Sequence, residues 1–215
     1  RQRQMCIRDR HMGSKYPIFS FDFTGAKRGV LPASYDYLRL EGRMQYRLNL
    51  PPIGYSQLML EGGKIFGKVP YLLLKLHEGN GTYFYDRYAF SCMNFYEFSS
   101  DAWISFFYEH HFNGFLLGRV PLLKKLNWRE VFVFKGVYGT LSARNDGSLP
   151  NTKAVMLFPV GMSSVEHPYL ETGFGIENIF RLLRVDCIWR LTHHRAVPGL
   201  SIPTFTVNFS LNLKF

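Results

Sequence analysis

The sequence predicts an all-β fold, an antiparallel up-and-down transmembrane β-barrel of about nine strands. Three observations carry this reading: runs of strict two-residue alternation, strands long enough to cross a bilayer obliquely, and an aromatic content of 17%.

The alternation is clearest at the two ends of the chain. From Tyr37 to Leu50, Arg39, Glu41, Arg43, Gln45 and Arg47 interleave with Leu38, Leu40, Met44, Tyr46 and Leu48. From Thr204 onward, Phe205, Val207, Phe209, Leu211, Leu213 and Phe215 interleave with Thr206, Asn208, Ser210, Asn212 and Lys214. A strand points successive side chains to opposite faces, so each run gives one apolar and one polar face. With Gly, Pro and Asn as punctuation, the same criterion places strands near 17–24, 36–50, 54–66, 83–94, 102–113, 128–142, 168–177, 184–194 and 203–215. Several exceed the mean soluble strand of about 5–6 residues and reach the roughly 9–11 that span a membrane. Segment 102–113 is apolar on both faces, at Trp103, Ile104, Phe106, Phe107, Tyr108 and Phe112, which predicts a loop covering its inward side.

Composition narrows the function classes. A hydrophobic content of 47% excludes disorder, and no run of 18 apolar residues could make a transmembrane helix. Cys6, Cys92 and Cys187, odd in number and without C-x-x-C spacing, form neither a disulfide framework nor a cysteine-rich zinc site. The net charge of +10 is concentrated partly in residues 1–15, where Arg1, Arg3, Arg8, Arg10 and Lys15 face only Asp9. That basic tail has no apolar core, reads as non-native, and is set apart from the barrel proper at 16–215. The remaining Lys and Arg are dispersed along alternating strands, which argues against a nucleic-acid partner.

Gly67-Lys68-Val69-Pro70-Tyr71-Leu72-Leu73 recurs 51 residues later as Gly118-Arg119-Val120-Pro121-Leu122-Leu123. In the nine-strand scheme that offset equals two strands and puts both copies at one end of the barrel. Asn178-Ile179-Phe180-Arg181 falls there too. Val69, Pro70, Leu72, Leu73, Val120, Pro121, Leu122, Leu123, Ile179 and Phe180 are therefore expected in membrane-interface turns, their apolar groups in lipid and the flanking cations at headgroups.

Sites for chemistry are sparse. Adjacent residues of His110-His111 and His193-His194 point to opposite faces, which suits neither a metal nor a cofactor, and none is expected. Glu109 and His111 share a face, but nothing beside them marks a nucleophile or an oxyanion hole. Arg39, Glu41, Arg43, Arg47, Glu109, His111, Asn208 and Ser210 are expected to face a polar lumen, and no catalytic residue is assigned. Gly136, Gly139, Gly173 and Gly175 lie inside strands, where glycine permits bulges and curvature.

Asn94-Phe95-Tyr96-Glu97-Phe98-Ser99-Ser100-Asp101, Glu109-His110-His111-Phe112-Asn113-Gly114, Trp128-Arg129-Glu130, Gly175-Ile176-Glu177-Asn178-Ile179 and Trp189-Arg190-Leu191-Thr192 together resemble an uncharacterised Bacteroidota outer-membrane β-barrel family. Full-length members of that family carry an N-terminal carboxypeptidase-regulatory-like domain. The likeness runs from about Tyr35 to Phe215 and implies a C-terminal fragment located in the bacterial outer membrane. The terminal strand through Phe205, Val207, Phe209, Leu211, Leu213 and Phe215 resembles the signal read by the barrel assembly machinery.

The expectation is thus an integral outer-membrane protein, not an enzyme, acting as an envelope channel, transporter or assembly component. Its partners would be outer-membrane lipids and, during biogenesis, the assembly machinery. A soluble lipocalin-like ligand-binding barrel, with its apolar face inward, and an outer-membrane lipid hydrolase are the rival readings.

Overall fold

The computed structural model describes residues 16–29, 35–148, 154–165, 167–194 and 201–211. The strands are β1 (Ile18–Ala26), β2 (Tyr37–Leu50), β3 (Gly54–Gly67), β4 (Lys75–Leu76), β5 (Phe98–Ser100), β6 (Ala102–His111), β7 (Arg129–Thr140), β8 (Ser163–Ser164), β9 (Tyr169–Ile179), β10 (Leu183–Arg190) and β11 (Phe205–Leu211). Eight of them make one sheet in the order β1-β2-β3-β6-β7-β9-β10-β11, antiparallel at every pairing. The short β4, β5 and β8 form a separate three-stranded sheet.

The large sheet has two unlike ends. At one, residues 51–53 turn β2 into β3 and residues 180–182 turn β9 into β10, while the longer 112–128 connection joins β6 to β7. At the other lie the connections 68–101, 141–168 and 191–204. These are called the turn end and the loop end. Gly54 closes the β2–β3 turn at φ 112°, where a Cβ would lie 1.8 Å from the His111 carbonyl oxygen, so no other residue fits without moving β6.

Register assigns the faces. Phe21 pairs with Gly42, Met44 with Leu60, Leu58 with Tyr108, Phe106 with Gly136, Phe132 with Phe174, Phe174 with Cys187 and Val185 with Phe209, all on one face. The opposite face carries Arg39, Glu41, Glu61, Glu109, Lys135, Glu171, Asp186 and Asn208, and residues 75–97 lie against it. It is the inner face, because the sheet curls around that insert. Arg184 of β10 reaches Glu109 of β6 at 3.1 Å, although three strand spacings of a flat sheet would separate them by about 14 Å. Inward-facing Gly175 leaves room for the curl. A Cβ there would sit 2.1 Å from the Asp186 carboxylate.

The insert supplies the core. Phe90 and Met93, together with Phe98 of β5, pack with Met59 of β3, Phe107 of β6, Val137 of β7 and Tyr169 of β9. The Phe90 ring lies 5.1 Å from Phe107 and 5.3 Å from Tyr169. A second cluster at the loop end joins Ile65, Val69, Leu74 and Trp103. The cover predicted over the inward side of segment 102–113 is this insert, with Trp103 and Phe107 buried and Ile104 exposed on the outer face.

Two expectations are corrected. Segment 83–94 is no strand of the sheet; it is the middle of the insert, and only Phe84 bridges to Phe209. Its aromatics mimic β propensity, yet the chain is irregular: Tyr85 and Phe90 turn toward the sheet, whereas Tyr83, Phe84 and Tyr88 stay exposed. With that strand removed, the repeats no longer share an end. Gly67 closes β3 at the loop end, Gly118 follows β6 at the turn end, and Asn178 lies at the turn end. Val69 and Pro70 are accordingly buried in the loop-end core and are not interface residues, because the chain folds back there to begin the insert. Leu72 is exposed and Leu73 half-buried, while Val120, Pro121 and Phe180 are exposed at the turn end beside half-buried Ile179. The side chains of Leu122 and Leu123, like Leu213 and Phe215, lie outside the described residues.

The sheet does not close among the described residues. β1 is exposed along almost its whole length and bonds only β2, and β11 bonds β10 and the insert. If curvature depends on the inward glycine, Gly175→Val should lower unfolding free energy by about 1–3 kcal/mol in a urea titration. Gly118→Ala, with nothing within 4 Å of the added carbon, should stay within about 0.5 kcal/mol.

Candidate functional site

A charged side chain pointing into the curl of a sheet must meet a partner or lose its hydration at a cost of several kcal/mol. The inner face meets this demand strand by strand, and in most places the partner comes from the insert.

On β2 and β3, Arg39 bonds Glu41 at 2.6 Å and Arg43 bonds Glu61 at 2.8 Å. Lys75, at the start of the insert, reaches the other Glu61 oxygen at 2.5 Å, where the Trp103 indole N–H also donates at 3.3 Å. Across β6 and β10, Glu109 accepts from Arg87 Nε at 2.6 Å, Arg184 Nη2 at 3.1 Å and the Tyr85 hydroxyl. Arg184 also grips Asp186 through Nε at 2.7 Å and Nη2 at 2.8 Å. The Tyr85 ring lies between two cations, 4.4 Å from the Arg184 guanidinium and 4.5 Å from Lys135 Nζ.

On β7, β9 and β10 the partners are mostly backbone. Lys135 Nζ donates to the carbonyls of Asp86 at 2.7 Å and Ala89 at 2.5 Å. Glu171 accepts the amides of Ser91 and Cys92 at 2.8 and 2.7 Å and the Tyr169 hydroxyl at 2.7 Å. Arg190 holds Glu97 at 2.6 Å and the Cys92 carbonyl at 3.2 Å. On β11, Asn208 donates to the Thr82 carbonyl at 3.1 Å, and the Phe209 edge exchanges backbone bonds with Tyr83 and Tyr85. Residues 75–97 are thereby fastened to every strand of the sheet from β3 to β11.

Two groups of the insert are driven out of their ordinary protonation range. Burial, helped by the Lys75 charge, holds His77 down to about 3, so it stays neutral and shares a 3.0 Å hydrogen bond with Ser100 Oγ. Burial and the nearby Glu171 carboxylate push the Cys92 thiol up to about 12, which leaves it unreactive as a nucleophile.

All eight residues expected in a lumen occupy inner-face positions: Arg39, Glu41, Arg43, Arg47, Glu109, His111, Asn208 and Ser210. The histidine pair splits as strand geometry requires. His111 turns inward to Glu177 at 3.1 Å and stacks on Tyr55 at 4.5 Å, whereas His110 turns outward to Ser56 at 2.8 Å. Glu109 and His111 approach to 3.6 Å, but both carboxylate oxygens of Glu109 already receive donors, so the pair is part of an ion network and not a free acid and base. Phe205, Val207, Phe209 and Leu211 face outward on β11.

Sequence reasoning missed Arg87, Lys135, Glu171, Asp186 and Arg190. Lys135 carried a signal, as the one charge among Val131, Val133 and Val137 at inward positions of β7, in register with Glu171 of β9. Arg87 carried none once its segment was read as a strand.

The network makes a graded prediction. Glu109→Ala leaves Arg184 and Arg87 short of their shared partner, and should cost about 3–5 kcal/mol in urea unfolding and speed tryptic cleavage after Arg87. Arg43→Ala removes a pair whose cation is 40% exposed and should cost about 0–1 kcal/mol without changing that cleavage.

No curated protein matches the chain. A family model described as the C-terminal domain of a family of unknown function, DUF5686, matches residues 7–143, which takes in β1 to β7 and the whole insert. Over most of its length, and through the segment that organises the inner face, the chain belongs to the DUF5686 C-terminal domain family.

Proposed function

We propose that the chain is the C-terminal part of an integral outer-membrane β-barrel that serves the envelope as a channel, transporter or assembly component, with residues 75–97 plugging its lumen. The observation that carries this reading is the polarity of the two faces. A largely apolar outer face runs across the eight strands, from Phe19, Phe21 and Phe23 on β1 through Phe66, Ile104, Tyr138, Phe174 and Trp189 to Phe205 and Leu211 on β11, with Lys64 of β3 as an exposed charge on it near the loop end. Eight strands about 4.8 Å apart and some 30 Å tall present roughly 1,000 Å² of it, against the few hundred Å² found on soluble monomers. Charges gather instead on the inner face, the inverse of a lipocalin, where the apolar face surrounds the ligand.

Other features agree with it. β2 and β3 run 14 residues and β7 runs 12, enough to span a bilayer with tilt. Two of the three connections at the turn end are three-residue turns, as on the periplasmic side of such barrels, and the longest connection, 68–101, leaves from the other end. The unpaired edge of β1 would take a further strand of the full barrel, and the apolar C-terminal strand would be read by the assembly machinery. Glu109 and His111, the pair considered for acid–base work, are tied into the ion network, which makes a hydrolase the weaker reading.

Cysteines placed singly at Leu40 and Arg43 test the orientation. In lipid vesicles the Arg43→Cys thiol should label with a membrane-impermeant reagent and the Leu40→Cys thiol should not. Faster labelling at Leu40 would return the chain to the soluble reading.

A further inference from the structure

The mouth of the inner face at the turn end holds more positive charge than the network neutralises. A cavity of about 450 Å³ there is lined by five arginines, Arg47 of β2, Arg87 of the insert, Arg129 of β7, Arg181 of the β9–β10 turn and Arg184 of β10, with Glu177 as the only lining carboxylate. Arg87 and Arg184 are committed to Glu109, and Glu177 is committed to His111. Arg47, Arg129 and Arg181 have no carboxylate within 4 Å among the described residues.

Three of the five guanidiniums are also held in place. Arg47 lies 4.1 Å over the Tyr55 ring, which itself stacks on His111, and the Glu109 network fixes Arg87 and Arg184 from below. Like charges gathered in one mouth repel one another until an anion arrives, and for these three the ordering cost of binding is already met. Guanidinium forks match the oxygens of phosphate in two-pronged hydrogen bonds. A monoanion would leave most of the excess charge unanswered.

We infer that this pocket is a binding site for a phosphate group, carried by a soluble molecule or by a lipid headgroup. The inference does not depend on what solvates the outer face, so it can fail while the membrane reading stands.

The test uses the full chain folded in dodecyl maltoside micelles, which contain no phosphate, with inorganic pyrophosphate as the calorimetric titrant at low salt. Pyrophosphate should bind. The Arg129→Gln/Arg181→Gln double variant, which breaks no ion pair, should bind about ten-fold or more weakly, and Arg47→Gln should weaken binding by a smaller factor. Arg119→Gln, removing an exposed charge near the same end but outside the pocket, should change affinity less than about two-fold. Competition by added phosphatidylglycerol would assign the site to a lipid headgroup, and its absence to a soluble phosphate; either supports the site. No binding to the intact chain, or equal weakening by Arg119→Gln, would overturn it.

Discussion

Buried charge on the inner face has to be answered, and the way residues 75–97 answer it shapes the rest of the molecule. Lys135 has no carboxylate within 4 Å among the described residues; its ammonium is held by two carbonyls of the insert. Glu171 is held by two insert amides and a tyrosine. Either group left bare would cost several kcal/mol, an appreciable part of the 5–15 kcal/mol that stabilises a typical domain. The insert is therefore no optional cover. Its path through the curl is set by the positions of Glu61, Glu109, Lys135, Glu171 and Arg190 on successive strands, and its apolar residues then fill the spaces between these ties.

The same arrangement explains why an apolar outer face is tolerable. A soluble sheet hides its greasy side, and here the inner side already holds a complete core of Phe90, Met93, Phe98, Phe107 and Tyr169. Outward Phe19, Phe21, Phe23, Phe174, Phe205 and Leu211 remain exposed among the described residues. In water they would be a large association surface, whereas in hydrocarbon they are the proper solvent-facing residues of a barrel wall. The phosphate pocket at the turn end belongs to the same logic, since charges beyond the reach of the insert remain unpaired at the mouth.

Much of this was legible in the sequence where one periodicity ruled. β2 and β11 alternate so strictly that parity separates their two faces, and the cost of exposing charge to lipid puts Arg39, Glu41, Arg43 and Asn208 on the inner one. Double-sided apolarity at Trp103 and Phe107 correctly called for a cover. What failed was long-range. Tyr83, Phe84, Tyr85, Tyr88 and Phe90 look like strand residues because aromatic enrichment marks strands and also irregular segments laid against a sheet, where only Phe90 enters the core. Only the neighbouring charges Asp86-Arg87, which would put opposite charges on both faces of a strand, hinted otherwise. That misreading also misplaced the Val-Pro repeats, since removing one strand reverses the end at which every later turn falls. Partners such as Glu109 and Arg184, 75 residues apart, meet only because the sheet curls, and no local pattern encodes that.

The central claim is that lipid bathes the outer face while the insert seals the inner one, and two tryptophans report on the two faces. Trp189 projects outward beside Phe205, and Trp103 is buried on the inner face beneath Lys75. Single-tryptophan chains retaining one or the other, with the remaining tryptophans changed to phenylalanine, can be folded into vesicles whose acyl chains carry bromine. Strong quenching of Trp189 with little quenching of Trp103 is the predicted result. Equal quenching of both, or an unquenched Trp189 in a folded chain, would contradict the account.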